Sequence, residues 1–434
     1  MKNSIVLFFI ACLFYSCNKL IEFVPGGGHS SSEFKKVYGG TDQDAIGDVL
    51  ITGDGGYFLA ANSHSNDGDL TGNKGDLDAW VVKLDKKGAI QWQKSFGGSD
   101  FDVLSSTVRN NNGGYIVAGL TTSTDVDATG IHGYYDGWIV NLGHTGELLW
   151  QKAFGGSGFE DFEKVVNCND NGYLAVGATN SNDGDVSGLH GIDDDGWIVK
   201  LNNSGALAWQ KTIGGTGSER FHSVIKTLDG GFMAVGHATS TDGDVDANDG
   251  GVDGWVVKLD RHGNIEWEKT YGGTAEEIFT NLTHSWDGGF ILIGTTTSDD
   301  GDVTNYHGGQ DIWVVKIDRN GNIQWQKTLG GSDFENANEI VATLHGTYLI
   351  TAVTTSNDGD VTGIHGFGDG WVITIDGNGN KLMQKTYGGS GTDVLTSIAV
   401  RWDGSFVTAG RTDSNDGDVT GSHGKSDAWV LSVK

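Results

Sequence analysis

The segment Asp78-Ala79-Trp80-Val81-Val82-Lys83-Leu84 decides the fold, because its Asp-x-Trp core returns six more times, at Trp138, Trp197, Trp255, Trp313, Trp371 and Trp429. The spacing is 58 residues, with one interval of 59 between Trp138 and Trp197. A period held that closely over most of a 434-residue chain means one supersecondary unit built seven times. Such an array overrides the two or three domains that the length alone would suggest.

Working outward within the second repeat, the pattern predicts strands over 102–109, 115–121, 137–142 and 148–154. These are short runs of β-branched and aromatic residues, cut by the turns Asn111-Asn112-Gly113-Gly114 and His144-Thr145-Gly146. No segment carries a sustained helical period of apolar residues. Four antiparallel strands per repeat and no helices predict an all-β fold, a seven-bladed β-propeller over residues 33–434. The last repeat supplies only three strands, ending at 429–433, and a matching fourth stands at 34–38, followed by Gly39-Gly40 as 92–96 is followed by Gly97-Gly98. The last blade is therefore expected to be closed by the N-terminal strand, which removes an exposed sheet edge and makes a monomer the expected state. The strand-three tryptophans, with Trp92, Trp150, Trp209, Trp267 and Trp325 of strand four and their counterparts Phe34 and Met383, are expected to pack the sheets together.

The run from Asp78 to Asp85, with Gly88 and Gly97-Gly98, resembles the bacterial β-propeller repeat family called SBBP. That family has an Asp-Ala-Phe-Val-Ala-Lys-Leu-like strand, a glycine turn and a closing Gly-Gly. All seven units here match, with Trp in place of Phe and Asp-Gly-Asp where the family often has Asp-Phe-Pro. The resemblance implies a propeller of envelope or secreted proteins and brings no reaction or catalytic residues with it.

The amino terminus reads as an address. Lys2 and the apolar run Ile5 to Tyr15 form the charged and hydrophobic parts of a secretory signal, too short for a bilayer span of about 20 residues. Phe14-Tyr15-Ser16-Cys17 resembles the lipobox of bacterial lipoproteins, and Phe9-Ile10-Ala11-Cys12 is a rival box that leaves a shorter hydrophobic core. The expected organisation is a signal peptide over 1–16, then a lipidated Cys17 and flexible tether over 17–32, which places the chain in the cell envelope as an outer-membrane lipoprotein, periplasmic or surface-exposed. With Cys12 and Cys17 in the leader region, Cys168 stands alone, so no internal disulfide framework is expected.

A formal net charge of −29, from 57 acidic and 28 basic side chains, repels a phosphate backbone and argues against a nucleic-acid partner. The acidic residues fall in two belts, both expected on the face that carries the strand two–three loops and the links between blades. In the long loops stand Asp67-Gly68-Asp69, Asp183-Gly184-Asp185, Asp242-Gly243-Asp244, Asp300-Gly301-Asp302, Asp358-Gly359-Asp360 and Asp416-Gly417-Asp418, with Asp125-Val126-Asp127 as the odd member. Closely spaced carboxylates around glycine either converge on Ca²⁺ or simply build turns by bonding their own backbone. His132, His190, His307, His365 and His423 in the same loops, one per blade, are expected to anchor them. The second belt, Asp44, Asp102, Glu160, Glu219, Glu277, Glu335 and Asp393, follows each blade-closing Gly-Gly. It either rings the mouth of the central channel as a cation funnel or accepts backbone N–H groups at the blade junctions.

Catalysis needs residues that break the repeat, and Glu219, Arg220, His222 and the pair Tyr134-Tyr135 do so. Glu219 with His222 is the one candidate acid/base pair; no activated nucleophile or phosphate loop accompanies it. The expected function is a binding scaffold for a protein or glycan of the envelope. A propeller enzyme acting on extracellular glycan or peptide, and a purely structural envelope module, are the alternatives.

Overall fold

The computed structural model describes residues 32–434. The signal, the two lipobox-like sequences with Cys12 and Cys17, and nearly all of the tether expected from the sequence lie outside the described residues. Seven four-stranded antiparallel sheets make up the described chain, which contains no helix. The first blade runs through Asp44–Ile51, Tyr57–Ser63, Asp78–Leu84 and Ile90–Phe96, from axis to rim. The second uses Asp102–Arg109, Tyr115–Thr121, Asp136–Leu142 and Leu148–Phe154. Its third strand starts one residue earlier than the pattern predicts, because Asp136 already pairs across the ladder with Thr121.

Blade seven joins the two ends of the chain. Phe34–Tyr38 pairs antiparallel with Asp427–Val433, in a register from Phe34↔Ser432 to Tyr38↔Ala428. The ring is closed as the repeat count requires.

The seven strand-three tryptophans are fully buried between neighbouring sheets. Burying a side chain of this size contributes about 2–3 kcal/mol. Each indole N–H needs a partner in that interior, and a side chain 13 positions on supplies it: Trp80 donates to Gln93 at 3.0 Å, and Trp255 to Glu268 at 2.8 Å. Trp429 is the exception. Its counterpart acceptor position falls on Lys35 at the seam, and its Nε1 has no hydrogen-bond partner.

The rim tryptophans are half-buried and do a different job. Each lies on the strand three–four hairpin of the next blade, where a glycine at positive φ makes room: a Cβ on Gly146 (φ +76°) would stand 2.6 Å from the Trp92 ring. Met383 has no such hairpin to lie on, since the next blade is the seam, and it is 65% exposed.

The inner strands carry the feature that shapes the axis. In blades one, two, four, five, six and seven the register slips by one residue, as between Ile46 and Asp48 or Phe221 and Ser223. A β-bulge of this kind re-aims the side chain it contains. Blade three goes further: its inner strand shrinks to the four residues Lys164–Asn167 against eight elsewhere.

Candidate functional site: the loop face and the axial cavity

The loop face is built on buried carboxylates. Asp44, Asp102, Glu160, Glu219, Glu277, Glu335 and Asp393 are at most 1% exposed, so they do not ring an open channel mouth. Each accepts the N–H of the second glycine of the preceding pair, for example Gly98 N to Asp102 at 2.8 Å and Gly215 N to Glu219 at 2.7 Å. The physical reason is that a buried N–H at a blade junction has no water to turn to. Hydroxyls complete most of these sites, as Thr179 does for Glu160 at 2.7 Å.

The aspartate before each strand-three tryptophan meets the same junction from the other side. A Cβ on Gly97 would lie 2.5 Å from Asp102 Oδ2 and 2.9 Å from Asp78 Oδ1, so the two carboxylates converge on the space a glycine leaves. Asp136, Asp195, Asp311 and Asp369 take the Nδ1 of His132, His190, His307 and His365 at 2.6–2.9 Å, and His423 reaches Asp427 at 3.3 Å. These histidines are loop anchors, and His190 also reaches Asp244 of the next blade through Nε2 at 3.5 Å. In the two blades whose loops carry Lys74 and Asp249 instead, burial pushes Asp78 and Asp253 up to about 6.

The Asp-Gly-Asp loops clip each blade to the link before it. The first aspartate accepts the N–H just after the preceding Gly-Gly: Asp67 from Thr41 at 2.7 Å, Asp183 from Ser157 at 2.7 Å, and Asp242, Asp300 and Asp358 from Thr216, Thr274 and Ser332 at 2.8 Å. Asp416 does the same with Ser390 at 2.6 Å. The N–H of the second aspartate, at Asp69, Asp185, Asp244, Asp302, Asp360 and Asp418, reaches the first glycine's carbonyl at 2.8–2.9 Å. The central glycines hold φ between 61° and 70°. These are turns made by Asp and Gly, and the calcium ligand set is not assembled. Among the described residues no group of three or more His, Cys, Asp or Glu side chains could hold a metal ion.

Apolar side chains break this polar face. Tyr134 is 81% exposed, Phe367 83% and Ile192 90%, with Phe101 and Phe334 also exposed at the blade links. Tyr135 packs against Phe159 at 5.3 Å, and the Arg220 guanidinium lies 5.5 Å over the Phe159 ring.

Arg220 leads inward. It pairs with Asp161 and, at 3.3 Å, with Glu163, both on the broken stretch of blade three. Burial, the Asp161 charge beside it and then the opposing Arg220 leave the Glu163 carboxyl raised above its ordinary range. His222 stacks on His237 with Nε2 and Nδ1 3.1 Å apart. Burial holds both imidazoles neutral at pH 7, His237 down at about 4. Of the candidate catalytic residues read from the sequence, Arg220 and His222 face this cluster and Glu219, the other half of the candidate acid/base pair, does not. Glu219 is spent on the N–H groups of Gly215, Thr239 and Ser240.

On the axis lies a cavity of about 220 Å³. The equivalent residue of each blade enters its lining, the bulge residues Gly47, Ser105, His222, Thr280, Asn338 and Thr396 and, just before the shortened strand of blade three, Glu163. One residue further along each inner strand, a polar layer crosses the channel. Lys164 of blade three reaches Glu339 of blade six at 3.1 Å and Asp48 of blade one at 4.0 Å. Ser397 stands 2.8 Å from Asp48 and 3.0 Å from Glu339. Asp48 also accepts Thr107 N, and Glu339 accepts Ile398 N, each at 2.9 Å, so this layer ties blades as well as bridging the axis.

No family model matches the chain, and no curated protein does. Among solved structures, the chain is similar to Sqt1 from Chaetomium thermophilum, with TM-score 0.47 and 11% identity over 93% of this chain and 100% of that one. It is also similar to the Neurospora crassa Pan2 WD40 domain (0.45, 8% identity, 91% and 97% covered). BamB from Moraxella catarrhalis gives 0.40 at 15% identity, with 89% and 85% covered.

Proposed function

We propose that this chain is a lipid-anchored envelope propeller that binds a protein or glycan partner through its loop face. The observation that carries the reading is the exposure of Tyr134 and Phe367, 81% and 83%, on a face otherwise made of Asp, Gly, Ser and Thr turns. A large ring left in water has no folding benefit, whereas tyrosine and phenylalanine anchors with few competing lysines are what a binding patch requires. The lipobox-like Phe14-Tyr15-Ser16-Cys17 supports the anchor, with Cys17 as the acylated residue.

Two measurements test this. Cells fed an alkyne fatty acid label the wild-type protein and leave Cys17→Ser unlabelled; equal labelling refutes the anchor. Envelope extract passed over the wild-type propeller yields a partner that the Tyr134→Ser, Phe367→Ser double variant fails to retain. Retention of the same material by both refutes the loop face as the binding surface.

A further inference from the structure

The axial cavity is distinct from the loop-face rim, and its chemistry is legible atom by atom. Three of its seven equivalent lining residues send their N–H or O–H groups away from the lumen. Thr280 Oγ1 donates to Ala337 O at 2.8 Å, Thr396 Oγ1 to Ile46 O at 2.7 Å, and Asn338 Nδ2 to Leu395 O at 2.9 Å. Each target is the carbonyl just before the bulge of the next blade, which the slipped ladder leaves open. A hydroxyl has one proton. Once Thr280 and Thr396 have committed theirs to backbone, what they offer the cavity is lone pairs, and Asn338 likewise offers its Oδ1. Among the lining groups Asp48 and Glu339 stand against Lys164, an excess of one negative charge, and the Glu163 carboxyl, raised by burial and paired behind the wall with Arg220, adds a further acidic group. His222 adds no positive charge, since burial keeps it neutral.

A small, walled cavity with acceptors turned inward and a negative excess needs a guest that brings hydrogen-bond donors and positive charge. We infer that the axial cavity is a binding site for a small organic cation bearing N–H groups, a primary ammonium or a guanidinium. Glu163 is its charged anchor, and the Thr280, Asn338 and Thr396 oxygens are its directional acceptors. Field alone does not define such a site, because a chain of net charge −29 attracts any cation. The inward lone pairs do, because they discriminate N–H from N–CH₃.

The site also breaks the sevenfold repeat where a specific guest requires it to. The column occupied by the cavity residues reads Gly, Ser, Glu, His, Thr, Asn, Thr around the ring, while the carboxylate column three residues earlier is acidic in every blade.

The test is isothermal titration of the folded propeller in 150 mM NaCl, a concentration at which the screening length is about 8 Å, with n-butylammonium, n-butylguanidinium, tetramethylammonium and 1-butanol as probes. The expected result is one equivalent of the first two bound and neither of the others. Glu163→Gln weakens that binding at least tenfold. Asp299→Asn, which removes one exposed loop carboxylate elsewhere, leaves it unchanged. Ser105→Asp, adding a carboxylate to the cavity ring, tightens it, so the inference stays testable even if Glu163→Gln does not fold. Equal binding of tetramethylammonium, equal weakening by Glu163→Gln and Asp299→Asn, or no heat with any amine would overturn it. The Tyr134→Ser, Phe367→Ser variant retains amine binding, which separates this site from the rim.

Discussion

Val126 stands where six other loops have glycine, and replacing it should stabilise the ring. The six glycines hold φ near 61–70°, and Val126 is forced to +55°. A Cβ at the equivalent Gly68 would lie 2.3 Å from Gly39 O, so the valine loop has to give way. It does: the Asp127 N–H reaches Gly97 O at 3.2 Å, against 2.8–2.9 Å in the other six loops. A left-handed conformation costs an L-residue roughly 1–2 kcal/mol, and more than that for a β-branched side chain is unsurprising. Against this, glycine gives the unfolded chain back about 0.4–1 kcal/mol of entropy. Little burial is lost, because Val126 is 61% exposed. The net expectation for Val126→Gly is about 1 kcal/mol of added stability. With about 2.1 cal/mol/K of unfolding entropy per residue, that is roughly 1 °C in Tm for a ring of this size. Amide hydrogen exchange is the sharper assay, because the Asp127 N–H should slow as its bond shortens. A lower Tm, or unchanged exchange at Asp127, would show that the loop absorbs the valine without strain.

Lys35→Gln should give the buried Trp429 indole an acceptor, adding about 1 kcal/mol. The Lys35–Asp418 pair it sacrifices is partly exposed and worth little; a fall in Tm would refute the assignment. The folded state keeps protons on Asp78 and Asp253 up to about pH 6, while the unfolded chain releases them near 3.8. The folded state therefore binds more protons in that window, and stability from these groups falls as pH rises through it. At Asp54 and Asp287 burial raises the carboxyl, but the hydrogen bonds of Lys83 and Lys316, those of Thr52 and Ser285, the backbone N–H of Gly56 and Gly289 and the lysine charges together hold it at about 2. Their contribution is lost as pH falls below about 4. Tm is thus expected to peak near pH 4, and Asp78→Asn should flatten its rise between pH 7 and 4; a maximum at pH 7 or above contradicts this. Glu219→Ala, which orphans the buried N–H groups of Gly215 and Ser240, should cost at least about 2 kcal/mol in urea unfolding, while His222→Ala costs far less; similar losses would return Glu219 to the cluster around His222. Millimolar calcium or a chelator should leave Tm unchanged, and a calcium-dependent rise would mean that the loop aspartates take a second arrangement.

The ring was readable from sequence because each blade repeats one burial pattern. Trp80 and its six counterparts, the glycine turns and the strand at 34–38 all sit where the period places them. The axis was not readable in the same way. In a regular strand Glu219 and His222, three residues apart, point to opposite faces, and the bulge between Phe221 and Ser223 decides which side chains enter the channel. No local residue signals that slip, since the position it affects is Gly in one blade and Glu or His in others. The signal lay in comparing repeats column by column. Columns acidic in every blade, such as that of Glu219, are junction residues, and the column that never settles on one residue type lines the cavity. The broken inner strand of blade three had no clear sequence mark beyond Asp161 and Glu163, two carboxylates in columns where no other blade has one.

The strand that completes blade seven also sets which way the molecule looks. Phe34 lies opposite Ser432, at the short-turn end of that sheet, and Tyr38 opposite Ala428, at the loop end. Phe34, where the strand begins, therefore lies on the short-turn face, opposite the loop face. A fatty-acyl chain on the proposed tether would hold the disc by its rim, at the outer strand of blade seven and from the face opposite Tyr134 and Phe367, like a tray gripped at one edge with its upper surface left clear.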